Sequence, residues 1–93
     1  MPGYLIGSVK ILDAVRMAQY ASDAAPIVEQ FGGRRLGGGV PDIVEGNWPW
    51  GNAFVFEFPS RAVALAFWNS EPYRALIAFR EGACVSDSVI VGD

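Results

Sequence analysis

A carboxylate in the middle of an aromatic strand is the first feature of this sequence with chemical potential. In Phe54-Val55-Phe56-Glu57-Phe58-Pro59-Ser60 the phenylalanines recur at a period of two, the alternation of a half-buried strand, while Val55 and Glu57 fall on the opposite side. A bare carboxylate among apolar neighbours is strongly disfavoured. Glu57 must therefore be hydrated, ion-paired or protonated, and the last two states are those of a structural salt bridge and of an acid–base group.

Other chemistry is narrowed by what the chain lacks. It contains no histidine and a single cysteine, Cys84, so a Cys-based nucleophile has no imidazole base and Cys84 reads as a small buried residue at a strand start. An unpaired cysteine points to a reducing compartment, and with no signal-peptide pattern at Met1-Pro2-Gly3-Tyr4 the expected location is cytoplasmic. Asp42, Glu45 and Glu57 offer hard oxygen ligands on one strand pair with poor convergence, so no metal site is expected. Gly37-Gly38-Gly39 resembles a phosphate cradle only superficially. No Gly-Lys-Ser/Thr ending and no helix follows it, and a bulged edge strand is the simpler reading. A net charge of −3 argues against a nucleic-acid partner, and no apolar run reaches the length of a membrane span.

The elements that must position Glu57 follow from the pattern. Ninety-three residues bound the chain to one domain with one modest core, residues 1–93. Tyr4 to Leu12 is an apolar first strand. Asp13 caps a helix that runs through Tyr20 and, interrupted near Pro26, resumes to Phe31, where Gly32-Gly33 stops it. A second strand spans Arg34 to Glu45, broken by the three glycines and Pro41, and Gly46 to Gly51 turns it into the aromatic strand. Trp48 and Trp50 on that turn suggest a surface covered by a partner, a ligand or the domain's own helix. Pro59 ends the aromatic strand and Ser60 caps the next helix. Ser70-Glu71-Pro72 starts a further helical segment carrying Tyr73, Leu76, Ile77 and Arg80, and Cys84 to Val91 is the last strand.

The order β-α-β-β-α-β is that of a ferredoxin-like α+β domain: a four-stranded antiparallel sheet with its helices on one face. The other face, drawn from Val9 or Ile6, Val55, Ile43, and Val89 or Ile90, is too apolar for water. At about 25 cal/mol per Å², covering about 800 Å² per chain outweighs the margin of so small a domain. The expected assembly is a two-fold homodimer, sheet against sheet.

Taken together, Tyr20, Phe31-Gly32-Gly33-Arg34, Leu36, Glu45-Gly46 with Trp48, Glu57-Phe58-Pro59-Ser60, Ala64, Trp68, Asn69-Ser70 and Tyr73 resemble domain-of-unknown-function family 1330, within the dimeric α+β-barrel superfamily. The resemblance covers nearly the whole chain. It implies the same fold and dimer, and it implies no settled activity. Relatives in the superfamily include cofactor-independent monooxygenases, lactone isomerases and haem-degrading proteins; the lack of histidine argues against haem, and no cofactor is expected. The motif singles out Arg34, Glu45, Glu57, Asn69, Ser70 and Tyr73 as polar groups, with Trp48 and Trp68 as walls.

On that basis Glu57 is the candidate catalytic base, taking a proton beside a carbonyl while Arg34 or Tyr73 steadies the oxyanion. Arg34, Glu45, Trp48, Trp68, Asn69 and Tyr73 are the candidate substrate-binding residues. In the structural alternative, Glu57 pairs with Arg34 or Lys10, Glu45 ties down the hairpin, Ser70 caps a helix, and Trp68 and Tyr73 are core. The first reading makes the protein a binder or enzyme for a small organic metabolite. The second makes it a non-catalytic dimeric module. An open cavity with Glu57 reaching into it would favour the first, and a filled core with Glu57 in a closed salt bridge the second.

Overall fold

The computed structural model describes residues 1–49 and 51–92. In chain order the elements are β1 (Gly3–Ile11), α1 (Ala14–Gln30), β2 (Arg34–Gly39), β3 (Asn52–Phe58), α2 (Arg61–Trp68), α3 (Glu71–Phe79) and β4 (Cys84–Gly92). All pairings are antiparallel and the strand order is β2-β3-β1-β4, the ferredoxin-like arrangement with its second helical stretch in two pieces.

Local signals set most boundaries. Asp13 accepts from the Arg16 amide at 3.0 Å, and Ser60 Oγ accepts from the Val63 amide at 3.1 Å, so each satisfies an orphan donor of its helix. At the far end of α1, Gly32 adopts φ +73°. The Gly33 amide donates to the Val28 carbonyl and the Gly32 amide to that of Glu29, both at 2.9 Å. This is a Schellman closure, for which a residue without Cβ is favoured.

The structure corrects three expectations. Helix α1 is continuous through Pro26 rather than broken into two segments. Proline removes one donor, the bond to the Ser22 carbonyl, and both residues lie on the exposed side where water can replace it. Strand β2 ends at Gly39, whose φ is +121°, so Asp42, Ile43 and Glu45 belong to a connection running to the start of β3 and not to a strand. Ile43 is accordingly removed from the outer sheet face. The turn residue Trp50 lies outside the described residues. The bulge itself is present, as the register of β2 against β3 shifts between Arg35 and Gly37.

The register assigns every strand residue to a face. Leu5, Phe56 and Ile90 are aligned across the sheet, and this row, with Phe54, Phe58, Val9 and Ser88, faces the helices. Ile6, Val55 and Val89 form the corresponding outer row, with Tyr4, Glu57 and Val91 beside them. The core beneath α2 and α3 is aromatic: Phe67 is 1% exposed, with ring centroids 5.0 Å from Phe58, 4.3 Å from Tyr73 and 5.9 Å from Phe31.

Candidate functional site

The space between α1 and the sheet is not filled. Along α1, Met17, Tyr20, Ala21, Ala24 and Val28 share the sheet-facing side, yet Ala21 remains exposed. What lies opposite it is a cavity of about 480 Å³, within the usual range for a small-molecule site. Its floor is Leu5, Phe54 and Phe56 on the sheet, and its inner wall is Phe67, Trp68 and Tyr73 from α2 and α3. Gly7 makes this floor possible: a Cβ there would stand 2.5 Å from Cζ of Phe54, so the ring occupies the position a side chain would need.

Three of the cavity's polar groups, Tyr20, Tyr73 and Arg80, meet at one end, while Glu29, Arg34 and Arg35 border it elsewhere. The hydroxyls of Tyr20 and Tyr73 are 2.5 Å apart, linking α1 to α3. Arg80 lies over the Tyr20 ring at 5.0 Å, and its Nη1 donates to Cys84 Sγ at 3.2 Å and Ser86 Oγ at 3.3 Å. Burial pushes the Tyr73 phenol well above its ordinary value, and the charge and hydrogen bond of Tyr20 add to the shift against the opposing pull of Arg80 and Arg74. Tyr73 is therefore a neutral hydrogen-bonding group and not a base. Unfolded tyrosine loses its proton near pH ~10 whereas folded Tyr73 keeps it, so this contribution to stability is complete below about pH 10 and is lost as pH rises further, by up to about 1.4 kcal/mol per unit. Tyr73→Phe should flatten that alkaline decline in urea denaturation compared at about pH 9 and about pH 11. An undiminished slope would place the effect elsewhere.

The sheet divides the expected site residues. Trp68 and Tyr73 line the cavity. Glu57 does not: it projects from the outer face, where its Oε1 accepts from Arg34 Nε at 3.0 Å. A general base in this cavity therefore cannot be Glu57 in the single chain, because consecutive strand residues point to opposite faces and Phe56 takes the inner one. Arg34 borders the cavity but its guanidinium is committed to Glu57. Glu45 and Trp48 sit exposed in the β2–β3 connection, and Asn69 is the exposed C-cap of α2; none of the three lines the cavity. Ser70 occupies an N-cap position, but its hydroxyl donates back to the Phe67 carbonyl at 2.8 Å instead of capping α3.

Two cavity residues, Tyr20 and Arg80, are not among the candidates. Tyr20 belongs to the family motif but sits in the apolar stripe of α1, which gives it no chemical signal. Arg80 carried a usable signal, an arginine in register with Tyr73, Leu76 and Ile77, where an apolar residue is expected. Among the described residues no group of three or more Cys, Asp or Glu side chains could hold a metal ion, and no helix is long and apolar enough to cross a membrane.

The fold and its cavity define a ferredoxin-like α+β protein with a lined space between helix and sheet. The chain belongs to the family described as Domain of unknown function (DUF1330), whose model matches residues 2–93. No curated protein matches the sequence. Among solved structures, the chain is similar to a protein of unknown function from Rhodopseudomonas palustris, with a TM-score of 0.77 and 22% identity over 99% of this chain and 82% of that one. It is also similar to a dimeric ferredoxin-like protein of unknown function from Jannaschia sp. CCS1, with a TM-score of 0.73 and 10% identity over all of both chains. A third neighbour is SnoaB, a cofactor-independent oxygenase from Streptomyces nogalater, with a TM-score of 0.66 and 5% identity over 99% and 92% of the chains. At these identities the likeness establishes the fold.

Proposed function

We propose that this protein is a homodimer that binds a small organic metabolite, without a cofactor, in the space between α1 and the sheet of each subunit. The observation that carries the reading is the cavity of about 480 Å³, with aromatic walls and the Tyr20–Tyr73–Arg80 group at one end. A domain selected only for stability would fill that volume, since unfilled core space is destabilising. The lone free cysteine supports a reducing, cytoplasmic setting. SnoaB, a fold neighbour, works without a cofactor by its description, which makes cofactor-free chemistry on the bound molecule compatible with the fold.

The dimer is supported by the outer sheet face. Val89 is 58% exposed, and Val85 and Val91 beside it are also exposed, an apolar surface that a second sheet would cover. The neighbour from Jannaschia is described as dimeric. In that assembly the Arg34–Glu57 pair lies at the sheet-to-sheet contact, so for these two residues the placement favours a structural role.

Ala21→Trp tests the cavity. The indole enters the cavity from an exposed position on α1 that lines it, so the fold should persist with its melting temperature unchanged or raised. Binding of an apolar probe, naphthalenemethanol, measured by calorimetry should weaken by about ten-fold or more. Equal binding by the wild type and the variant would place the probe, and the proposed site, elsewhere.

A further inference from the structure

The polar end of the cavity is electrically incomplete. Arg80 has five N–H donors, and among the described residues its acceptors are a thiol sulfur and a hydroxyl, both neutral. Its Nε is buried and has no hydrogen-bond partner. Among the described residues the ion pairs are Arg16–Asp13 and Arg34–Glu57, and none reaches Arg80. A partly buried guanidinium with an unsatisfied Nε and no counter-charge is costly, and an arriving anion offsets that cost.

Tyr73 stays neutral, and among the described residues lining the cavity Glu29 is the one carboxylate, an exposed residue in the last turn of α1. Arg35 and Arg80 thus outnumber it around the cavity, with Arg34 already paired, in a chain whose net charge is −3. The Tyr20–Tyr73 hydrogen bond consumes one hydroxyl proton and leaves the other free to donate. Beyond this end the walls are flat and apolar, formed by Phe54, Phe56, Phe67 and Trp68.

We infer that the natural ligand is an aromatic or similarly flat organic acid whose single carboxylate docks at Arg80 and the free tyrosine hydroxyl while its rings fill the space between Trp68 and the phenylalanines. This rests on the cavity being a ligand site and adds the charge of what it takes. Both Nη1 protons of Arg80 already donate and its Nε is buried, so a carboxylate takes its charge-assisted hydrogen bonds from Nη2 and the tyrosine hydroxyl. A phosphate would call for a denser set of donors than one arginine and one hydroxyl.

The test is calorimetric titration of the full-length wild-type protein with naphthoate and with naphthalenemethanol, which share a ring system and differ in charge. Naphthoate should bind about 10- to 100-fold more tightly, the range expected of a charge-assisted hydrogen bond. Arg80→Met, checked for folding by its thermal melt, should narrow the preference to about two-fold or less. If both probes bind the wild type equally, the charge assignment falls and the cavity stands as a neutral site. If neither binds, the ligand-site reading falls with it. The wild-type comparison decides the matter even where Arg80→Met does not fold.

Discussion

Phe67→Ala is expected to cost about 3–5 kcal/mol and to lower the melting temperature by at least about 12 °C. Phe67 is almost completely buried, and its ring is the hub of the aromatic core, touching Phe58 from β3, Tyr73 from α3 and Phe31 after α1. Removing it strips contacts from three elements at once, and the void would merge with the cavity it already lines, leaving the neighbouring rings without support. For a domain whose total stability is of the usual order of 5–15 kcal/mol, the loss is a large fraction. Circular dichroism melts of the two proteins measure it. A shift of less than about 4 °C would mean that the aromatic stack is loosely packed and that the rigid wall argued for the cavity is absent.

Val89→Lys is expected to convert the protein from a dimer to a monomer of 10.0 kDa. Val89 stands on the outer face along the edge strand β4, aligned across the sheet with Ile6 and, through it, Val55. An ammonium group there would have to be buried without a partner when two sheets close on each other, a cost of several kcal/mol per chain and two such costs per dimer. The exposed face of the monomer tolerates lysine, so the fold should survive. Light scattering coupled to size exclusion reads the result. A wild-type protein that is already monomeric, or a variant that stays dimeric, would contradict a sheet-to-sheet assembly.

Most of the architecture is legible in the sequence because its determinants are local. The alternation of Phe54, Phe56 and Phe58, the caps Asp13 and Ser60, and the stop at Gly32-Gly33 each act within a few residues, and the structure uses all of them. The failures are where local signals conflict with context. Pro26 reads as a helix break, but an exposed proline within a long, well-closed helix forfeits only one hydrogen bond. The stretch after Gly39 has strand-forming valine and isoleucine, yet β2 ends there, at a glycine with positive φ.

The candidate site was half legible. Of the candidate residues, Arg34, Trp68 and Tyr73 border the cavity, whereas Glu45, Glu57, Trp48 and Asn69 share a motif that does not encode which face each occupies. The alternation of β3 already separates Phe56 from Glu57, and following it strictly removes Glu57 from a pocket that contains Phe56. Tyr20 and Arg80 are brought together by the packing of α1 against α3, a tertiary fact whose linear trace is the misplaced arginine.

A small organic molecule is proposed to occupy the space between α1 and the sheet. A titration of isotope-labelled protein with naphthoate, followed by amide chemical shifts, tests it residue by residue. Shifts should concentrate at Ala21, Phe56, Trp68, Tyr73 and Arg80 and leave Val85 and Val89 on the outer face unmoved. Shifts confined to the outer face, or none at saturating naphthoate, would contradict the account.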